Sequence, residues 1–149
     1  MSSLEETLRS DLLDATRSRD VVRRDTLRMV ISSIGNARIQ SGQELSDDEV
    51  VKVLQKEAKQ RRESIDEFQK GNRDDLVQKE KAELAIIELF LPQQLSEEEI
   101  KSFAEQAITN VNAGSLSDLG QVMRELMPML EGRADGKVAN QIVRELLNS

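Results

Sequence analysis

Two charged residues sit on what should be the apolar face of a helix. With Leu54 at zero on a wheel of roughly 100° per residue, Ile65, Phe68 and Arg61 fall within about 40° of it, and Glu57 within about 60°. Both point with the core residues and away from Lys52, Lys56 and Lys59. They are also spaced i,i+4 with the glutamate first, the favourable order for an ion pair. One helix later, Glu80 and Glu83 share a face with Leu76, Ile87 and Phe90. Two chemistries fit. Arg61 among Glu57, Glu80 and Glu83 can form a salt network that fixes helix register. Alternatively, Glu80-x-x-Glu83 can offer carboxylate oxygens to a divalent cation. The Glu-x-x-His half of a di-iron bundle site is excluded, because the chain contains no His. We expect the structural network, with neither metal nor cofactor.

The absence of His and Cys removes much else. Ser-His-Asp and Cys-His nucleophiles, thiolate zinc, His-ligated haem and disulfide frameworks are all excluded. No Ser or Thr has a base positioned by spacing, so no catalytic residue is assigned. There is no Trp or Tyr and only three Phe, too few for a platform on which nucleic-acid bases stack.

Phosphate binding has two candidates. The loop Gly132-Arg133-Ala134-Asp135-Gly136-Lys137 precedes a predicted helix, and the free N–H groups of a helix start attract anions. Asp135 can cap the same groups itself. The loop is not a P-loop, since Gly132 and Gly136 are one residue too close and Val138 replaces the hydroxyl. The second candidate is the basic stripe Lys52, Lys56, Lys59 and Arg62, with Arg23, Arg24 and Arg28 on the preceding helix. Such a stripe can follow a phosphate backbone, or it can simply solvate the bundle beside Glu63, Asp66 and Glu67.

The elements that position these residues are helical throughout. Leu4, Leu8, Leu12 and Ala15 form one stripe, and Ser3 with Glu6 has capping-box spacing. A second helix spans about Asp20 to Gln40 with Leu27, Val30, Ile31 and Ile34 inward, closed at Gly42. A third opens at Ser46 and Glu49 and carries Val50, Leu54, Ala58, Ile65 and Phe68. The fourth runs from about Asp74 to Leu91. Pro92 breaks the pattern and pushes Leu91 towards extended geometry. Ser96 and Glu99 then cap a fifth helix, and a sixth begins near Asp118 with Pro128 expected to kink or shorten it. The seventh carries Ala139, Ile142, Val143 and Leu146. We therefore expect an all-α protein. Residues 1–92 form a bundle of about four helices, and residues 93–149 a small three-helix tail domain.

Charge is uneven along this frame. The chain of 149 residues has net charge −7, which opposes indiscriminate coating of nucleic acid. Yet Arg9–Arg38 holds seven arginines. The N-terminus has no apolar leader run, and no apolar stretch approaches the ~20 residues of a membrane helix. The expected location is the cytoplasm.

Four segments in order resemble the YqeY family. They are Lys59-Gln-Arg-Arg-Glu-Ser64, Phe90-Leu-Pro-Gln-Gln-Leu-Ser-Glu-Glu-Glu-Ile100, Gly120-Gln-Val-Met123 and Gly132-Arg-Ala-Asp-Gly-Lys137. The family is related to the C-terminal helical and tail region of the B subunit of tRNA-dependent amidotransferase, a carbon–nitrogen ligase that takes its amide nitrogen from glutamine. The resemblance implies a two-domain helical fold and a tRNA-binding or accessory role, without stand-alone catalysis. The implied tRNA contacts are Arg24, Arg28, Lys52, Lys56, Arg133 and Lys137, and Gly132, Ala134, Asp135 and Gly136 complete the tail motif. The chain departs from the pattern at Gln93 and Glu131, where lysine is common. The alternative reading is a protein-interaction module docking on an aminoacyl-tRNA synthetase or an amidotransferase.

Overall fold

The computed structural model describes residues 1–148. Among them every regular element is a helix, as the hydrophobic stripes require. The chain divides into two compact units, Met1–Leu91 and Pro92 onward.

The first unit contains α1 (Ser3–Ser18), α2 (Val21–Ser41), α3 (Asp47–Lys70) and α4 (Asp74–Glu88). Its core joins Leu8, Leu27, Val30, Ile34, Leu54 and Ile87, all at most 1% exposed. Burying each such side chain contributes about 1.5–3 kcal/mol. On α4 it is Val77 that is fully enclosed, and Leu76 is only half-buried. Gly42 ends α2 in the left-handed region, at φ 74°, where an L side chain would be strained.

Three helix ends differ from the sequence expectation. The cap of α1 is Ser2, whose hydroxyl accepts from the Glu5 N–H at 3.2 Å, so the box at Ser3 and Glu6 does not form. Ser3 is used differently. Its hydroxyl donates to Asp47 at 2.8 Å, and the Leu4 N–H donates to the same carboxylate at 3.0 Å. The first residue of α3 thus satisfies open donors of α1, which ties two helix starts together. Next, α4 stops at Glu88 rather than Leu91. Residues 89–91 continue as tight i→i+3 turns, from Leu89 to Ile86, Phe90 to Ile87 and Leu91 to Glu88. Pro92 disfavours helical geometry at Leu91, which accounts for the early stop. Finally, Pro128 neither ends nor shortens its helix.

The second unit contains α5 (Glu97–Val111), a 3-10 turn at Leu116–Asp118, α6 (Leu119–Leu130) and α7 (Gly136–Asn148). Ser96 and Glu99 form the complete reciprocal capping box, both bonds at 3.1 Å. Leu95, Ile100, Ala104, Val122, Leu126 and Val143 form the core. Pro128 is tolerated because it is exposed and only two residues from the end of α6, where the ladder loses little.

Glu5 illustrates how α1 and α2 are joined. Its side chain is fully buried, and it accepts from Arg38 of α2 and, at 3.3 Å, from Arg9. Burial pushes the Glu5 carboxyl up, but the hydrogen bonds and charges of Arg38 and Arg9 outweigh it and hold it below its ordinary value. A carboxyl lowered in the folded state stabilises above its unfolded pKa and loses that contribution as pH falls. Glu5→Gln should therefore cost about 2 kcal/mol near neutral pH, reduced from the fully buried case because the arginines are partly solvated. The deficit should shrink in acid as the wild-type carboxylate protonates. Urea unfolding of both proteins at neutral and acidic pH measures it.

Candidate functional site

The polar face of α3 is built as its periodicity demands. Arg61 is buried, only 8% exposed, and its Nη1 donates to Glu57 Oε2 at 2.5 Å and to the Glu57 carbonyl at 3.3 Å. Its Nε faces Glu83 Oε2 of α4 at 3.6 Å. Glu57 also accepts from the Ser33 hydroxyl of α2 at 2.7 Å, and Arg61 Nη2 touches the Met29 sulfur at 3.9 Å. One arginine thus joins α2, α3 and α4. Glu80 lies at the margin. Its carboxyl is pushed up, first by desolvation and then by the neighbouring Glu83 charge, with Arg61 opposing. The four residues marked from the sequence come together, in the arrangement of a salt network. Among the described residues no group of three or more acidic side chains is arranged to hold a metal ion.

Two surface depressions adjoin this network and share Gln60. One, of about 560 Å³, is acidic, with Glu63, Glu67, Glu80 and Glu83 against Arg61 and Lys79. The other is a groove of about 390 Å³ between α2 and α3. Ala37, Val53 and the Ser33–Glu57 pair line it, together with Asn36, Gln40, Lys52, Lys56 and Gln60. These last five are exposed, and their side chains make no hydrogen bond or ion pair within the described residues. Glu57 is neutralised by Arg61, so the two lysines set the sign of the groove.

The remaining basic candidates are placed otherwise. Met29, Ser33, Asn36, Ala37 and Gln40 mark the face of α2 that meets α3. At 3.6 residues per turn, Arg28 and Arg24 point roughly 125° and 165° away from the centre of that face. Arg24 is moreover paired with Asp25 at 3.0 Å, and Arg23 with Asp11 of α1 at 3.5 Å. Arg62 pairs with Glu88 of α4 at 3.3 Å. The stripe suggested by sequence is therefore split between surfaces, and only Lys52 and Lys56 share the groove.

The glycine-flanked loop is occupied by its own residues. Asp135 accepts from the Lys137 N–H at 3.0 Å, so it caps the start of α7 where an anion would bind. Arg133 Nε donates to the Gln93 carbonyl at 3.0 Å, and its own carbonyl accepts from the Leu95 N–H at 2.8 Å. Its charge also contributes to holding Glu99 low, behind the Ser96 hydrogen bonds. Gly132 takes a left-handed φ of 72°, following Glu131 at 50°. Ala134 and Gly136 are half-buried beside it, with Gly136 lying against Met127. Arg133 is thus a clasp between the loop and the segment leading into α5.

The model of the YqeY-like protein family matches residues 5–147, nearly the whole chain. The chain belongs to the YqeY family. A Pyrenophora tritici-repentis protein named altered inheritance of mitochondria protein 41, mitochondrial, is 29% identical over 145 residues, covering 95% of this chain and 80% of that one. The Lachancea thermotolerans protein of the same name is 34% identical over 113 residues, 74% of this chain and 60% of that one. An uncharacterized Schizosaccharomyces pombe protein is 34% identical over 94 residues, 63% of this chain and 76% of that one. These names overturn the cytoplasmic expectation, because the named relatives of this YqeY chain are mitochondrial proteins. The error has a plain cause. No helix among the described residues is long and apolar enough to cross a membrane, and that property does not distinguish one aqueous compartment from another.

Two variants test the assignments in this YqeY fold. Glu80 has a raised carboxyl pKa, so its ionisation opposes folding near neutral pH. Glu80→Gln should then melt slightly higher than wild type at pH 7, with the gain vanishing once both states are protonated in acid. Arg133→Ala should lower stability by about 1 kcal/mol through loss of the clasp. Thermal melting followed by circular dichroism reads both.

Proposed function

We propose that the chain is a tRNA-binding accessory module, related in role to the tail region of tRNA-dependent amidotransferases, and that its first unit supplies the main contact. The observation that carries this reading is the α2–α3 groove, where Lys52 and Lys56 stand side by side without an acidic partner. Elsewhere on this unit Arg9, Arg23, Arg24, Arg38, Arg61 and Arg62 are committed to carboxylates. A cation already paired offers little to a phosphate, whereas an unpaired one releases bound counterions when it meets the backbone. Lys52 and Lys56 are one helical turn apart, about 6 Å along the axis, so each can meet its own phosphate. Arg28 is exposed on another face and extends the positive surface. Arg133 is removed from the contact set because it serves the clasp, and Asp135 weakens the case for Lys137.

The binding expected is weak and salt-dependent, since phosphate contacts position an RNA without reading its sequence. The chain acts on a tRNA held for another enzyme, a synthetase or an amidotransferase, rather than transforming it. Anisotropy of labelled bulk tRNA across a salt series tests this. Wild type should bind, and the Lys52→Ala/Lys56→Ala protein should lose roughly 1.5 to 2 in the slope of log K against log salt. Its melting should match wild type, because neither lysine holds another group. Absence of tRNA binding at low salt would refute the reading and leave protein docking as the alternative.

A further inference from the structure

We infer that the α2–α3 groove receives an unpaired, single-stranded segment of RNA, with Lys52 and Lys56 holding phosphates and Asn36, Gln40 and Gln60 meeting base edges. The inference rests on the tRNA reading above and specifies which part of the RNA is bound. Its basis is the company the lysines keep. Three amide side chains line the same groove, and none has a partner within the described residues. Each amide offers both donors and an acceptor. That pairing matches the mixed donor and acceptor edges of an exposed base, whereas a phosphate needs donors only.

Shape argues in the same direction. A duplex is recognised by a protein element that reaches into or across its grooves. Here the protein surface is itself concave, a channel between two helices of the kind that pack about 8–10 Å apart. An extended strand can lie along such a channel and turn its bases inward, but a duplex can only rest on the rim. The groove runs along successive turns of both helices, with Asn36 and Gln40 one turn apart on α2 and Lys52, Lys56 and Gln60 at successive turns of α3. No aromatic ring lines it. Affinity therefore comes from phosphate contacts and edge hydrogen bonds, without the stacking that strengthens most single-strand binders. The acidic depression beyond Gln60 sets a polarity, because a strand leaving the groove towards Glu63 and Glu67 would be repelled.

The test compares three labelled probes on the full chain: an unstructured RNA oligonucleotide, a perfect RNA duplex of the same length, and bulk tRNA. Inorganic phosphate serves as competitor. The unstructured strand should bind more tightly than the duplex. Asn36→Ala/Gln40→Ala should weaken strand binding about ten- to a hundredfold, the loss expected for two ordinary hydrogen bonds, with the salt slope unchanged. Lys52→Ala/Lys56→Ala should instead lower the strand's salt slope by about 1.4. Equal binding of strand and duplex, or full binding by the amide variant, would overturn the inference. So would inorganic phosphate displacing the strand well below the concentration at which it acts merely as a salt, which would mark a simple anion site. If tRNA binds normally in those cases, the tRNA reading survives and only the groove's preference is lost. If wild type binds none of the three probes, both fail.

Discussion

A guanidinium on a side chain that is nine-tenths buried must be met by acceptors and counter-charge, and Arg61 imposes that condition on its neighbours. Glu57 accepts from it one turn earlier on α3, and Glu83 of α4 supplies charge at 3.6 Å without a hydrogen bond to its Nε. Ser33 then occupies the second oxygen of Glu57, which brings in α2. Removing Arg61 would leave Glu57 and Glu83 enclosed without their counterpart, the costly outcome for buried ion pairs. The network therefore fixes the register of α3 against its neighbours, whatever its net contribution to stability. It also divides the surface. On one side Glu57 is neutralised and two lysines dominate. On the other, Glu63, Glu67 and Glu80 remain, and the sign reverses within about two turns of one helix.

The start of α7 shows the opposite outcome of a competition. A helix start with glycines and basic residues has the ingredients of an anion site. It also contains Asp135, which is covalently present at the place an anion would occupy. An intramolecular carboxylate needs no association entropy to reach the N–H groups, so a dilute phosphate competes poorly. Arg133 is drawn away in the same manner, because the Gln93 carbonyl lies within reach and Leu95 donates back to the arginine's own carbonyl. A motif rich in glycine and charge here serves to close a loop against the entry to α5.

Much of this frame is legible in the sequence, for reasons that can be named. Helices follow from stripes of apolar residues and from caps that act within four positions. Ser96 and Glu99 form the box that their spacing specifies. The inward direction of Glu57, Arg61 and Glu83 is a matter of angle on a single helix, so a wheel suffices. Glu5 was invisible for the converse reason. Ser2 and Ser3 offer two cap registers, and the choice is decided by Asp47, 44 positions away in the chain. Arg38, which encloses Glu5, is 33 positions away. Likewise, Arg24 and Lys52 look alike as members of a basic stripe. Which of them is paired and which lines a groove depends on how α2 lies against α1 and α3, and no spacing within either helix contains that information.

The proposal that an acidic chain binds RNA holds no contradiction once distances are considered. Net charge acts over long range and is screened within about 8 Å at physiological salt. Contacts in a groove act at a few ångströms, where only the nearest groups count. Near Lys52 and Lys56 the one carboxylate lining the groove is Glu57, already held by Arg61 and Ser33. On that proposal, the surplus of acid elsewhere would slow approach and discourage RNA from settling on the acidic parts of the surface. On the proposed reading, a chain charged in this way would favour the groove over the acidic surface beside it, and the buried Arg61, by holding Glu57, keeps the two lysines from being neutralised.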